Sequence, residues 1–505
     1  MASDVPPPAR TNREATARAL VWTLLESFGL SGLSVIALVV LSRYLTPAEF
    51  GVASLALAVV QMATVLVERL FHDPLIQRRD LTPRDSASAF SATLLLGVLL
   101  MLACWAAAPW LARTFDQPDV APLLRWMSTG IVAASLSTVL IALHRRDMVF
   151  RALALRSLFG RAVAALIAIV LAMWGAGIWS IVAQQVLTAS LGALALWWLS
   201  AVARPHLAWD GRALREMVVL GIPSTLQQFM WIANARLFLL LAGTQLNVVA
   251  LGQIALAFRA VDMMRDLLAQ AVSQLALPLF ARVEREQGDR CSAFIAAVRL
   301  TSAVMLPVFT GLAVLAPEVI ELAFGAQWLP AAPFVSLLSL LTFHFFPRMF
   351  VTPLLSALGR PAMTMVGSVV QALFIAAALW IATQPSPALV MAIWAARLLV
   401  STPIDMWMLK RLAGIGYVDQ WRGALHPALA SAVAAAGLLG LQMSGWLPAG
   451  VLPRLLLSVV AGAVLYGLVL WLVDRPLVRE VRGVCAMAIS RRRTPHAPSS
   501  GGNRP

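Results

Sequence analysis

LTPAEFGVASLALA, residues 45–58, lies over LNVVALGQIALAFR, residues 246–259, when the chain is shifted by 201 residues. Leu45 then meets Leu246, Gly51 meets Gly252, Leu55 meets Leu256 and Ala56 meets Ala257. At the same offset Leu25-Glu26 meets Leu226-Gln227 and Phe28 meets Phe229. Each stretch is a turn running into an apolar helix, and the helix before each turn has a polar residue at the matching depth. The first copy begins in the first apolar segment and the second in the seventh, so an even number of crossings separates them and both run in one direction. A parallel repeat of two six-helix lobes follows, with its axis along the normal of the layer the helices cross.

That layer is a lipid bilayer. The chain has 505 residues, 60% hydrophobic and 12% charged, with a mean hydropathy of +0.81. A soluble domain of this length cannot bury so much apolar surface. Apolar segments recur at 20–42, 51–72, 88–111, 122–143, 153–174, 178–199, 217–242, 249–276, 293–316, 331–357, 362–382, 388–409, 424–444 and 454–473. They predict an all-α polytopic membrane protein with about fourteen transmembrane helices, two six-helix lobes related by the parallel repeat plus two C-terminal helices. The expected organisation is a cytoplasmic segment over 1–18, an N-lobe over 19–200, a cytoplasmic linker over 201–216 and a C-lobe over 217–410. Helices 13 and 14 follow over 424–473, then a basic cytoplasmic tail over 474–505.

The net charge of +15 sits in short loops, which makes it an orientation signal and not a nucleic-acid footprint. Alternate loops hold Arg78, Arg79 and Arg84; Arg145, Arg146 and Arg151; Arg204, Arg212 and Arg215; Arg282, Arg285 and Arg290; and Lys410, Arg411 and Arg422. The opposite loops are nearly bare. This asymmetry predicts that both termini are cytoplasmic. The opening MASDVPPPARTNREATARAL has no apolar run before a small-residue cleavage site, so the first span is expected to insert uncleaved. Cys104, Cys291 and Cys485 form no CxxC pair and predict neither a disulfide framework nor a metal site. Residues 475–493 mix Arg with Leu, Val and Ile and read either as a basic helix on the anionic leaflet or as a solvated tail. Trp22, Trp110, Trp174, Trp179, Trp328 and Trp446, near span ends, read as interfacial anchors.

A charge at the bilayer centre costs roughly 2.5–3.5 kcal/mol, so each one needs a reason. Arg259, Asp262 and Asp266 fall at spacings of three, four and seven on the eighth helix and share one face. Asp262 and Arg265 are three apart. Such a face points into the bundle, either as a self-neutralising ladder that locks helices together or as an anion site with surplus Arg. Arg161, Arg236, Arg348 and Arg397 have no acidic residue at helical spacing. Near their span ends Arg161 and Arg348 are expected to snorkel, while Arg236 and Arg397, deeper in, are expected in a cavity. Glu26 and Glu68 are the acidic residues of the first two helices. His344, flanked by Phe343 and Phe345, reads as a satisfied interior histidine. No HExxH, GxxxxGK[ST] or GxSxG motif occurs, and the loops are too short for the active site of a membrane polymerase or ligase. No enzymatic activity is expected.

Ser42-Arg43-Tyr44-Leu45-Thr46-Pro47-Ala48-Glu49-Phe50-Gly51 resembles the loop after the first helix of the polysaccharide transporter family, the O-antigen and exopolysaccharide flippases. Pro74-Leu75-Ile76-Gln77-Arg78, Phe324-Gly325-Ala326-Gln327-Trp328 and Leu358-Gly359-Arg360 resemble later stretches of the same family, and the likeness runs over segments one to twelve. The family belongs to the superfamily of multidrug extruders and lipid II flippases. The resemblance implies alternating access between two lobes, with an undecaprenyl-pyrophosphate-linked oligosaccharide as cargo, in the bacterial inner membrane. On that implication Arg236, Arg259, Arg265 and Arg397 are the candidate substrate-binding arginines, since the planar fork pairs with phosphate oxygens. Glu26, Glu68, Asp262 and Asp266 are the candidate coupling or charge-balancing carboxylates. No cofactor is implied beyond H⁺ or Na⁺ as a coupling ion, and Arg236 stands where the family often has an acidic residue. Candidate partners are the lipid-linked oligosaccharide, membrane lipids and the polymerase and chain-length proteins of the pathway, and no nucleic acid. A multidrug exporter of the same superfamily and a membrane polymerase or ligase of the same pathway are the alternatives. The Arg-rich interior weighs against a cationic-drug cavity.

Overall fold

In the computed structural model, which describes residues 10–200, 202, 204–285, 289–358, 360, 363–477 and 479, all fourteen expected segments fall on helices. They are α1 (Arg10–Tyr44), α2 (Pro47–Arg69) with the short α3 (His72–Gln77), α4 (Pro83–Thr114), α5 (Val120–Arg146), α6 (Phe150–Met173) and α7 (Trp179–Leu199). The second half holds α8 (Gly211–Gly243), α9 (Val248–Arg285), α10 (Arg290–Val314), the short α11 (Ala316–Phe324), α12 (Ala332–Arg348) with α13 (Val351–Ala357), α14 (Thr364–Ile381) and α15 (Pro387–Met408). Last come α16 (Asp419–Met443) and α17 (Val451–Val473). Among the described residues there is no strand, and 11 helices are long and apolar enough to cross a membrane. The other three expected segments are α8, α9 and α14. Gln227, Gln228, Asn234 and Arg236 interrupt α8, and four charges from Arg259 to Asp266 interrupt α9. The apolar part of α14 is the shorter Met365–Ile381.

Helix starts are written locally. Thr46 N donates to Glu49 Oε2 at 2.8 Å and Glu49 N to Thr46 Oγ1 at 3.3 Å, a capping box with Pro47 at the first helical position. Thr82, Pro83 and Asp85 repeat the device for α4. These boxes satisfy amides that a helix start otherwise leaves unpaired. Asp210 caps α8 through the amides of Arg212 and Ala213, so helix begins at Gly211, inside the stretch expected as linker. Most of the expected tail, and residues 1–9, lie outside the described residues.

The two halves meet where the repeat was read. A β-carbon on Gly51 would collide with the carbonyl oxygen of Val248, and one on Gly252 with that of Pro47. Pro47 and Val248 are themselves 201 residues apart, so the contact is reciprocal, as between twofold-related surfaces. Only glycine lets the two backbones approach this closely. The packing pairs recur as well. α1 against α6, α2 against α5, α4 against α5 and α6 against α7 return as α8 against α14, α9 against α12, α10 against α12 and α14 against α15.

A strap from the second half closes over the same end. Trp328 lies in a 3₁₀ turn (Ala326–Ala331) and is fully buried, its Nε1–H donating to the Ser42 carbonyl at 2.8 Å. The Gln327 amide donates to the Ser42 and Leu45 carbonyls at 2.9 and 3.2 Å. Arg43 returns the contact, donating to the Leu322 and Ala323 carbonyls at 2.6 and 3.3 Å. Carbonyls that the ends of α1 and α11 would leave unpaired are thereby satisfied, and the Trp328 ring meets Phe50 edge-on at 5.6 Å. Trp328 is therefore not an interfacial anchor. Trp110, Trp174 and Trp446, at 64%, 80% and 86% exposure, keep the exposure that role needs.

α16 and α17 dock on α10. Their lock is Asp474, which accepts from Arg299 Nε at 3.1 Å and Nη2 at 2.5 Å, from the Leu477 amide at 3.1 Å, and lies 2.9 Å from His426 Nδ1. Burial pushes the Asp474 carboxyl up, but the hydrogen bonds from Arg299, His426 and the Leu477 amide outweigh it and hold the group below the ordinary aspartate value. A depressed folded-state pKa gives stability that is present above the unfolded value, about 3.9, and is lost as pH falls through the folded one. The protein is expected to lose thermal stability in detergent as pH falls below about 4. Asp474→Asn should be less stable at neutral pH and should flatten that acid slope, as melting curves across pH would record.

Candidate functional site

Three arginines from three helices converge. Arg259 of α9 is within electrostatic range of Arg161 of α6 and Arg236 of α8. Arg161 sits about 16 Å along α6 from its first residue and about 18 Å from its last, at roughly 1.5 Å per residue. It is therefore at mid-depth and cannot reach headgroups, contrary to the snorkelling expectation. Its Nη1 donates to Ser34 Oγ on α1 at 3.0 Å. The Nε atoms of Arg161 and Arg236 are buried without an acceptor. Among the described residues no carboxylate lies within ion-pair distance of Arg161, Arg236 or Arg259.

The aspartates on the same face of α9 go elsewhere. Arg265 Nη2 holds Asp262 Oδ1 at 2.8 Å and Asp266 Oδ1 at 3.6 Å, and its guanidinium lies 5.0 Å from the centre of the Phe345 ring. The ladder expected between Arg259 and the two aspartates is therefore not made, because Arg265, placed between them, takes both. Asp262 keeps only a longer-range attraction for Arg236 and Arg397. Arg397 has its guanidinium carbon over Trp394, 3.4 Å from the ring centre, and donates Nη1 to the Trp394 carbonyl at 2.5 Å. Trp394 in turn contacts Phe238 at 4.7 Å and Phe258 at 4.9 Å. This aromatic floor is carried by the same helices, two residues after Arg236 and one before Arg259, and its three rings are buried.

Arg348 does not snorkel either. It pairs with Asp405 of α15 and reaches Ser401 Oγ at 3.2 Å and His344 Nε2 at 3.1 Å. His344 lies 2.9 Å from Thr402 Oγ1 and is a satisfied interior residue.

Glu26 and Glu68 belong to a second cluster, in the first half of the chain. Ser157 Oγ donates to Glu26 Oε1 at 2.6 Å. Glu68 is exposed, facing Arg69, Arg156, His72 and Arg145. His72 Nδ1 lies 2.8 Å from Asp73 Oδ1, and its Nε2 lies 3.1 Å from Arg145 Nη1. The sequence reading missed Arg156 altogether and took Arg145 for a loop charge. The available signal was an arginine two turns inside α6 with no acidic residue at helical spacing.

The two clusters differ in balance. Arg69, Arg145 and Arg156 face Glu26, Glu68 and Asp73, three charges of each sign. In the central cluster, among the described residues, Arg161, Arg236, Arg259, Arg265 and Arg397 have Asp262 and Asp266 as acidic neighbours, and Arg348 beside Arg397 is paired with Asp405. Like charges at low dielectric repel strongly, so the central group keeps a positive surplus, whereas the other balances its charges.

A family model described as polysaccharide biosynthesis protein matches residues 40–333. The chain is 25% identical to the succinoglycan biosynthesis transport protein ExoT of Rhizobium meliloti, over 97% of this chain and 98% of that one. It is 23% identical to the teichuronic acid biosynthesis protein TuaB of Bacillus subtilis, over 88% and 93%. Among solved structures the lipid II flippase MurJ, in an inward closed conformation, superposes with a TM-score of 0.72 at 13% identity, covering 91% of this chain and 100% of that one. At that identity the likeness is one of fold.

Proposed function

The chain belongs to the polysaccharide biosynthesis protein family, and from that premise we propose that it is a flippase carrying an undecaprenyl-pyrophosphate-linked oligosaccharide from the cytoplasmic to the periplasmic leaflet of a bacterial inner membrane. The observation that carries the reading is the trio Arg161, Arg236 and Arg259, drawn from both halves of the chain and, among the described residues, without a paired carboxylate. A pyrophosphate diester is a compact dianion that guanidinium forks recognise bidentately. The prenyl tail stays in lipid while the head group travels between the lobes. Arg236 and Arg259 grip the diphosphate, and Arg265 and Arg397 shape the field around it. Asp262 and Asp266 hold Arg265 and limit the positive surplus, so that release remains feasible. The same surplus disfavours the multidrug-exporter reading.

The reciprocal contact of Gly51 with Gly252 supports two lobes divided between α7 and α8, with α16 and α17 as an appended pair. The arginine-rich loops support cytoplasmic termini and a periplasmic Thr46 turn. With the cytoplasm negative, outward movement of the head group gains about 2.3 kcal/mol per charge per 100 mV. H⁺ or Na⁺ coupling at Glu26 or Glu68 supplements that drive. The pathway's polymerase and chain-length proteins act on the product once it is outside.

Depleting the protein tests this directly. Lipid-linked oligosaccharide should accumulate and stay hidden from an impermeant glycan-oxidising reagent added to spheroplasts. Undiminished labelling in depleted cells would overturn the assignment.

A further inference from the structure

The chain passes from the first half to the second at the arginine-rich end, and one hydrogen bond sets the height of that joint. Between α7 and α8 the stretch from Arg204 to Asp210 forms no helix. Its middle hangs on α4, where the Ala208 amide donates to Ser91 Oγ at 3.0 Å. The Ser91 hydroxyl spends its own proton on the Ala87 carbonyl at 3.0 Å, so its lone pairs are left to accept. Ser91 is three residues inside the apolar stretch that begins at residue 88, about 4.5 Å along the helix. α4 itself begins eight residues before Ser91, at Pro83, about 12 Å farther out. The linker is therefore tied at the edge of the hydrocarbon and does not loop out past the helix ends. On either side of the tied residue, Leu207 and Trp209 are 71% and 65% exposed.

The charges that flank these two side chains are positive. Arg204, Arg212 and Arg215 are all exposed. Asp210 is turned onto the Arg212 and Ala213 amides as the cap of α8, and Glu216 is shared by Arg212 at 3.5 Å and Arg78 at 3.1 Å. Among the described residues Arg204 and Arg215 have no carboxylate within ion-pair distance. Tryptophan favours the membrane–water interface, and guanidiniums at that level meet the phosphates of anionic lipids. We propose that the linker docks into the leaflet on the arginine-rich side, with Leu207 and Trp209 among the lipid chains and Arg204, Arg212 and Arg215 on the phosphates of anionic phospholipids. This surface is separate from the central arginines and does not rest on the flippase reading. α8 has 33 residues, about 50 Å of helix, between this joint and the turn that leads to Gly252. The halves are held by backbone packing at the glycine end and by lipid at the linker end, so leaflet charge bears on how freely the two can move.

The test uses full-length protein in lipid nanodiscs with Cys104, Cys291 and Cys485 replaced by alanine. An NBD fluorophore is attached at Leu207→Cys or, separately, at Trp209→Cys, and Arg84→Cys, exposed at the start of α4, is the reference for a position in water. Iodide is expected to quench the reference several-fold more than the linker probes. Phosphatidylcholine brominated near the top of its chains should quench the linker probes and spare the reference. Brominated phosphatidylglycerol, as a minor component of phosphatidylcholine nanodiscs, should quench the linker probes several-fold more than equally dilute brominated phosphatidylcholine, because each arginine near the surface favours an anionic lipid about fivefold. Replacing Arg204, Arg212 and Arg215 together by glutamine should abolish that preference and leave the shielding from iodide in place. Linker probes quenched by iodide as strongly as the reference would put the linker in water and overturn the proposal. Shielding from iodide without quenching by brominated lipid would overturn it too, since protein would then be what covers the linker. A parent protein with no preference for phosphatidylglycerol, or a glutamine variant that keeps one, would refute the assignment of the three arginines to lipid phosphates.

Discussion

Surface polysaccharide is expected to disappear from cells whose only copy of the protein has alanine at both Arg236 and Arg259, with the protein still in the membrane at its normal level. Each guanidinium supplies charge-assisted hydrogen bonds worth about 1.5–3 kcal/mol, so losing two costs about a hundredfold to ten-thousandfold in engagement of the head group. The single variants should each reduce export strongly. Lysine at either position should rescue in part, because it keeps the charge and loses the fork. A control separates this from a folding defect. Arg259 is repelled by both Arg161 and Arg236, and among the described residues neither Arg236 nor Arg259 has a carboxylate within ion-pair distance, so their removal should leave the melting temperature unchanged or raise it. Normal export by the double variant would refute the mechanism.

Trp328→Ala is expected to open the opposite side. The residue is fully buried and joins the second half's connector to the end of α1. Deleting a buried tryptophan costs about 3–5 kcal/mol. That cost falls on the arrangement seen here, in which the indole meets Ser42 and Phe50. A shift of this size changes the closed-to-open ratio by more than a hundredfold. An impermeant maleimide added from outside should therefore label Ser42→Cys far faster with the Trp328→Ala change than without it. Equal labelling rates would show that the strap does not gate the Thr46 side.

The helices were legible because length and apolarity in a bilayer leave the backbone no alternative to helix. The closest approach of the two halves was legible too, since Gly51 and Gly252 were the matched pair that no Leu or Ala coincidence explained. Charge partners were not. Helical spacing correctly put Asp262, Arg265 and Asp266 on reach of one another, but it could not rank Arg265 above Arg259 as their partner. Arg348 meets Asp405, and Arg299 meets Asp474, across 57 and 175 positions of sequence. Only the packed bundle sets those distances. Arg146 carries the same lesson: it reads in the sequence as a loop charge, yet its guanidinium caps the carbonyls of Leu75, Arg78 and Arg79. Trp328 near a span end looked like its exposed counterparts, because burial there depends on a strap folding over α1.

The glycine crossing acts as a fulcrum, and its place along α9 sets a mechanical advantage. Arg259 is seven residues from Gly252 and Arg285 is thirty-three, about 10 Å and about 50 Å of helix. A rigid swing of about 10° at the crossing would carry Arg259 through about 2 Å and the far end of α9 through about 9 Å. The far end of α9 would swing widely while the Arg259 guanidinium stayed nearly still. A short arm at the charge and a long arm at the helix end would decouple what happens around the arginines from how far that end travels.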